Sequence, residues 1–233
     1  MSALAVEARA LSKVFGLTPV LHDTDFQIST GRAVTIIGGN GSGKSTLLSM
    51  FAGLTLPTQG LLWVFDEDTR SFGARSRRRI GMMSHQSFLY PNLTARENLE
   101  FYGRLYGLSD LHRLADSWLD RVGLADSARE RVRTFSRGME QRLAAARAML
   151  HRPPLLLLDE PFASLDSEGV ARIKSILKSA VSEGCTLVTT AHQPIEIEGV
   201  DFELLEISRG QMVPYKAKEA RRGRLRSLLS PRS

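Results

Sequence analysis

The chain carries a single cysteine among 233 residues, so no disulfide can form within it. Cys185 opens the run Cys185-Thr186-Leu187-Val188-Thr189-Thr190 and reads as core packing rather than as a reactive thiol. Long apolar runs are missing too. No stretch approaches the roughly 18 to 20 apolar residues of a membrane-spanning helix, and Met1 to Ala10 lacks the apolar centre of a secretory signal, so the expected location is the cytoplasm. The five histidines are scattered, with neither a Cys-x-x-Cys-His motif nor paired metal-ligand spacing. Neither an internal repeat nor a sustained heptad pattern runs through the chain.

What is present is an ordinary globular composition, 42% apolar and 24% charged, sufficient for a real core. The formal net charge of +6 suggests a nucleic-acid partner until it is located along the chain. Seven of the 31 basic residues (Lys216, Lys218, Arg221, Arg222, Arg224, Arg226 and Arg232) fall between Lys216 and Ser233, with only Glu219 of the 25 acids. The rest of the chain is formally neutral. The tail reads as a solvated end or as a strip drawn to anionic lipid, where each basic residue near such a surface adds about 1 kcal/mol. Nucleic acid is not the expected partner.

The most informative stretch is Gly38-Gly39-Asn40-Gly41-Ser42-Gly43-Lys44-Ser45-Thr46, which fits G-x-x-x-x-G-K-[ST] directly after the strand-like run Ala33-Val34-Thr35-Ile36-Ile37. It predicts a nucleoside triphosphate site. Glycines let the backbone curl so that successive N–H groups converge on the phosphates, and the following helix turns its partly positive N-terminus to the same anion. Lys44 is placed to reach the phosphates, and Ser45 to hold Mg²⁺ through its hydroxyl.

Around this loop, Ala5 to Ala8, Phe26 to Ile28 and Leu61 to Val64 read as short antiparallel strands broken by Thr30-Gly31 and Thr58-Gln59-Gly60. A helix is expected over Thr46 to Gly53 and a strand over Ile80 to Ser84, after an arginine cluster (Arg75, Arg77, Arg78, Arg79) that reads as a solvated face. From Thr94 to His151 the pattern is helical: Thr94-Ala95-Arg96-Glu97 forms a capping box, and Leu111 to Val122 and Met139 to Leu150 are amphipathic. Leu155 to Leu158 is a fully apolar run suited to a strand buried on both faces of a parallel sheet, and Thr186 to Thr190 is another. Asp159 and Glu160 end the first, where open α/β sheets place their ligand-binding groups. Asp159 is expected to support Mg²⁺ and Glu160 to polarise the attacking water.

In these residues the chain resembles the ATP-binding cassette (ABC) ATPases from about Val6 to Val213. Gln86 matches the family's lever glutamine at Mg²⁺ or water, and Phe135-Ser136-Arg137-Gly138-Met139 stands in the place of its Leu-Ser-Gly-Gly-Gln signature. Ser164-Leu165-Asp166 matches the D-loop, His192 the switch histidine at the γ-phosphate, and Phe15 the aromatic that stacks on adenine. The resemblance implies a phosphate-loop NTPase core with a mostly parallel sheet, an N-terminal antiparallel β subdomain and an inserted α-helical subdomain. It implies one such domain over residues 1–215, with the helical insertion at about 87–152 and the basic tail at 216–233. It further implies ATP and Mg²⁺ as cofactors, hydrolysis of ATP, and a second cassette paired head to tail so that each ATP lies between one phosphate loop and the partner's signature.

The signature departs from the pattern at Arg137 and Met139, which stand where the family has glycine and glutamine. Arg137 either adds a cationic contact to the partner's phosphates or points into solvent. Integral membrane permease subunits are the remaining implied partners, which would hold the chain against the inner face of the membrane. The stretch His85 to Tyr106, rich in aromatics, either receives such a partner or packs within the insertion. That stretch and the Ser-Arg-Gly-Met signature are similar to the haem-exporter-type ATPase of bacterial cytochrome c maturation. The alternatives are the ATPase of a drug, lipid or polysaccharide exporter, and a nucleotide-dependent regulatory partner outside transport.

Overall fold

The computed structural model describes residues 3–215, so the basic tail lies outside the described residues. The chain opens with β1 (Leu4–Phe15) and β2 (Thr18–Ser29), a hairpin of two 12-residue strands, then β3 (Ala33–Ile37), the phosphate loop and α1 (Lys44–Phe51). β4 (Gln59–Val64), β5 (Glu67–Asp68), the single turn α2 (Ala74–Arg77) and β6 (Ile80–Met83) follow. Three helices come next: α3 (Ala95–Leu105), α4 (Leu111–Arg121) and α5 (Arg137–Met149). The chain then alternates through β7 (Leu155–Asp159), α6 (Ser167–Ser182) and β8 (Thr186–Ala191), and closes with the hairpin β9 (Phe202–Ser208) and β10 (Gln211–Pro214).

These strands form two sheets. The first is four-stranded and antiparallel, in the order β2-β1-β4-β5. The second is six-stranded, in the order β10-β9-β3-β8-β7-β6, parallel throughout except for the antiparallel β9–β10 pair at one edge. The two are stitched where β2 meets β10: the His22 amide donates to the Gly210 carbonyl (3.0 Å) and the Met212 amide to the Thr24 hydroxyl (2.9 Å).

Strand alternation divides the core. Leu155 and Leu157 point into a cluster shared with α1 (Leu47, Leu48, Phe51) and the first sheet (Val6, Leu11, Leu62). Leu156 and Leu158 point the other way, towards Leu99, Leu119, Leu143 and Leu177 of the helices. All five residues of β7 are buried because both faces are covered, which is why the sequence there is a continuous apolar run rather than an alternating one. Each fully buried leucine contributes roughly 1.5–3 kcal/mol.

The helical segment is anchored locally. The Thr94 hydroxyl accepts from the Glu97 amide (3.2 Å) while the Glu97 carboxylate accepts from the Thr94 amide (2.7 Å), closing the expected capping box and holding the Glu97 carboxyl below the usual carboxylate range. Buried Asn98 accepts from the Tyr90 amide (2.8 Å) and donates to the carbonyls of Tyr90 and Thr94, which fixes the loop leading into α3. On α5, Arg147 caps the free edge of β6 by donating to the Met82 carbonyl (2.5 Å). Tyr90, Phe101 and Tyr102 pack on one another within the insertion, while Phe88 and Tyr90 remain 39% and 46% exposed. The Arg75, Arg77, Arg78 and Arg79 cluster is exposed, as expected of a solvated face.

Candidate functional site

The phosphate loop is built by the abrupt change from β3 to α1. Gly41 (φ 74°) and Gly43 (φ 101°) take left-handed conformations, and a Cβ at Gly43 would lie 2.7 Å from Val20 Cγ1, so the turn and the close approach both require glycine. Lys44 curls back over the loop, its Nζ donating to the carbonyls of Gly38 (2.8 Å) and Gly39 (3.1 Å), and it is only 6% exposed. The loop is thereby closed around an ammonium group. The buried Ser42 hydroxyl has no partner among the described residues, a free donor inside the same cradle. A depression of about 490 Å³ opens here, lined by Phe15, Val20, the loop from Asn40 to Thr46, and Glu160. Phe15 ends β1 half-exposed, with Lys13 Nζ 4.6 Å from its ring centre, so an aromatic face is open beside the phosphate-binding backbone. The cradle's donors suit a triphosphate, and the Ser45 hydroxyl at the start of α1 and the Asp159 carboxylate at the end of β7 are oxygen donors of the kind Mg²⁺ takes.

Sheet register carries the second half of the site to the same edge. Ile37 pairs with Ala191, and Asp159 with Thr190, so the phosphate loop, the acid pair and His192 all leave the sheet together. Asp159 accepts from the Thr190 hydroxyl (2.5 Å) and lies 3.9 Å from His85 Nδ1. Glu160 adopts φ 48°, a left-handed conformation that is uncommon outside glycine. Its Oε1 sits 3.1 Å from His192 Nε2 and 3.8 Å from Lys44 Nζ. One carboxylate oxygen therefore stands between an imidazole and a buried ammonium.

Behind Glu160 a second depression, about 430 Å³, is lined among others by His85, Arg137, Glu140, Gln141 and Ser164. Here the start of α5 borders the acid pair. Ser136 caps that helix, its hydroxyl accepting from the Met139 amide (3.3 Å), and Arg137 is exposed on the wall. Asp166 likewise caps α6 by accepting from the Gly169 amide (2.8 Å). The residues Ser136 to Met139 do not line the phosphate-loop depression; Arg137 lines the one that adjoins it across Glu160. Gln86 lines neither depression; its exposed backbone bonds with the Ser84 hydroxyl, and His85 takes the place beside Asp159. Thr190 and Gln141 were not singled out by the sequence. The available signal for Thr190 was a hydroxyl in a strand with no exposed face to receive it.

A family model described as ABC transporter matches residues 21–163. The linearmycin resistance ATP-binding protein LnrL of Bacillus subtilis (strain 168) is 32% identical over 215 residues, which cover 91% of this chain and 69% of that protein. The Nod factor export ATP-binding protein I of Cupriavidus pinatubonensis (strain JMP 134 / LMG 1197) is 34% identical over 210 residues, 89% of this chain and 65% of that protein. An ATP-binding cassette solved as a dimer in a post-hydrolysis state bound to ADP and Pi superposes with a TM-score of 0.82 at 27% identity, covering 91% of this chain and 100% of its own.

Proposed function

We propose that this chain, which belongs to the ABC transporter family as an ATP-binding and ATP-hydrolysing subunit, powers a membrane complex of haem-linked export in bacterial cytochrome c maturation. The observation that carries the ATPase chemistry is the convergence of Lys44, Asp159, Glu160 and His192 on one sheet edge. Phe15 would stack on the adenine, the loop amides and Lys44 would bind the phosphates, and Glu160 would take the proton of the attacking water. His192 would share the γ-phosphate and the Glu160 carboxylate. Ser45 and Asp159 would hold Mg²⁺, which when bound offsets charge on the transferred phosphate, and the exposed Gln86 side chain would have to swing in to join them. The signature residues Ser136, Arg137, Gly138 and Met139, which do not line the chain's own phosphate-loop depression, would serve the ATP of a second cassette, and Asp166 would lie at that junction. The dimeric relative supports this pairing. Integral membrane subunits would supply the path, and this chain would sit peripherally on the inner face.

The haem-linked cargo rests on the aromatic-rich stretch from His85 to Tyr106, in which Phe88 and Tyr90 are exposed, on the Ser-Arg-Gly-Met signature and on the short overall length. A second reading is favoured by the relatives, whose names speak of linearmycin resistance and Nod factor export: the ATPase of a drug, lipid or polysaccharide exporter. The altered signature keeps a third, a regulatory ATPase outside transport, worth separating. Tagged Glu160→Gln protein recovered from its native membranes with ATP and Mg²⁺, followed by mass spectrometry of its companions, decides among them. Cytochrome c maturation subunits support the haem-linked reading. An unrelated permease moves the cargo to that permease's class, and no membrane subunit at all sinks the transport reading.

A further inference from the structure

Glu160, at positive φ just past the end of β7, is held by a backbone turn and by two side chains. Thr190, fully buried on β8, uses one hydroxyl twice: it donates to Asp159 Oδ1 (2.5 Å) and accepts from the Glu160 amide (3.1 Å). Gln141, in the second turn of α5, does the same with one amide group. Its Nε2 donates to the Glu160 carbonyl (3.2 Å) and its Oε1 accepts from the Ser164 amide (3.2 Å). The Glu160 carbonyl also accepts from the Ala163 amide (3.2 Å), so Thr190 grips the Glu160 amide from the strand side and Gln141 ties the turn that follows Glu160 to α5 from the helix side.

We propose that Thr190 and Gln141 are positioning residues for ATP hydrolysis, setting the direction of the Glu160 carboxylate by clamping its backbone; the proposal rests on Glu160 being the hydrolytic base. A side chain leaving a left-handed residue points along a different line from one leaving an extended residue, and φ 48° is not a conformation that glutamate keeps without constraint. With either side-chain grip released, the turn to Ala163 alone holds the peptide, and the carboxylate drifts from its position 3.1 Å from His192 Nε2. Misplacement of a reacting group by about 1 Å costs on the order of 100-fold in rate. The arrangement has a directional consequence. Gln141 follows the signature residues on the same helix, so a shift of α5 is passed through one side chain to the carbonyl of the chain's own hydrolytic glutamate. The orientation of the signature face and the readiness of Glu160 are therefore mechanically linked.

The test compares Thr190→Val, Thr190→Ser and Gln141→Met in the full-length chain, with Glu160→Gln alongside, by steady-state ATP hydrolysis and by binding of a fluorescent ATP analogue. The expected result is a kcat lowered by ~10- to 100-fold in Thr190→Val and Gln141→Met with nucleotide affinity retained, and most of the rate restored in Thr190→Ser. A merely structural role would lower kcat, affinity and melting temperature together, and that pattern overturns the proposal, as does failure of serine to rescue. Should Thr190→Val not fold, Gln141→Met, at a half-buried helix position, decides alone. Full kcat in Gln141→Met with an inactive Glu160→Gln rejects the clamp. Full kcat in Glu160→Gln rejects instead the role of Glu160 itself.

Discussion

His192 Nε2 lies 3.1 Å from Glu160 Oε1, and the same carboxylate oxygen is 3.8 Å from the ammonium of Lys44. An acid placed between an imidazole and a buried cation is oriented before any nucleotide arrives. Replacing Glu160 by Gln keeps size and hydrogen bonding while removing the base, so turnover is expected to fall by ~10²- to 10⁴-fold with ATP binding intact. His192→Ala should likewise lose rate rather than affinity. Single-turnover hydrolysis beside equilibrium ATP binding checks both, and a wild-type rate in Glu160→Gln would assign the base elsewhere.

Lys44 does two jobs before it meets a ligand, since its bonds to the Gly38 and Gly39 carbonyls close the loop. Lys44→Ala removes the charge-assisted contact, worth about 1.5–3 kcal/mol, that it is expected to make to the phosphates, and takes a donor from the Gly38 carbonyl, while the Gly39 carbonyl keeps the Ser42 amide. The expected outcome is a loss of ATP affinity of at least ~10- to 100-fold, measured by titration with a fluorescent analogue. Affinity within a factor of two of wild type would mean that the loop does not bind the triphosphate as described.

How much of this was legible depended on whether the signal was local. β7 announced itself because a strand buried on both faces must be apolar throughout, and the α3 cap because Thr94 and Glu97 sit three residues apart. β1 and β2 were read as short runs but extend to 12 residues each. Their pairing slips at several bulges, with Ala10 and Asp23 at positive φ, so the period-2 pattern that marks a strand is broken along their length. The site shows the same division. The phosphate loop is a contiguous motif, whereas Thr190 acquires its partners only through the register that sets it opposite Asp159, and Gln141 only through the packing of α5. Gln86 shows the converse, a residue picked out by motif order whose side chain the fold leaves in the open.

His151 gives the folded chain a pH dependence separate from the ATP site. Its ring stacks on Tyr106 at 3.7 Å, and burial, reinforced by the nearby Arg147 charge, pushes its pKa down from 6.5 to about 4. The unfolded chain therefore binds a proton at this residue that the folded chain refuses between pH 6.5 and about 4. Stability is complete above pH 6.5 and is lost as the pH falls through that window. Between pH 7.5 and pH 5 the loss from this group is ~2 kcal/mol. His151→Phe keeps the stacked ring and removes the titration, so its urea midpoint should fall less than that of wild type over the same interval. Parallel declines in the two proteins would show that His151 is not buried as a neutral ring.

Gly81 lets α5 pack closely on the sheet. It stands in β6, where any Cβ would collide with the Ala148 carbonyl oxygen of α5 and come within 2.6 Å of Pro153 Cγ. Its φ is not in the left-handed region, so the requirement is one of space and not of backbone conformation. Gly81→Ala must then push α5 away from β6, straining the bond from Arg147 to the Met82 carbonyl that covers the strand's free edge. Overpacking of this kind costs typically about 1–3 kcal/mol, and in a chain of this length each kcal/mol lowers the melting temperature by roughly 2–4 °C. Gly73→Ala is the matched control, because a Cβ there meets nothing within 4 Å. Calorimetry of the two variants should show a clear drop for Gly81→Ala and almost none for Gly73→Ala; equal melting temperatures would mean that α5 has room to move. Since α5 also carries Gln141 to the Glu160 carbonyl, the same displacement should slow ATP hydrolysis in Gly81→Ala at temperatures where the protein is still folded.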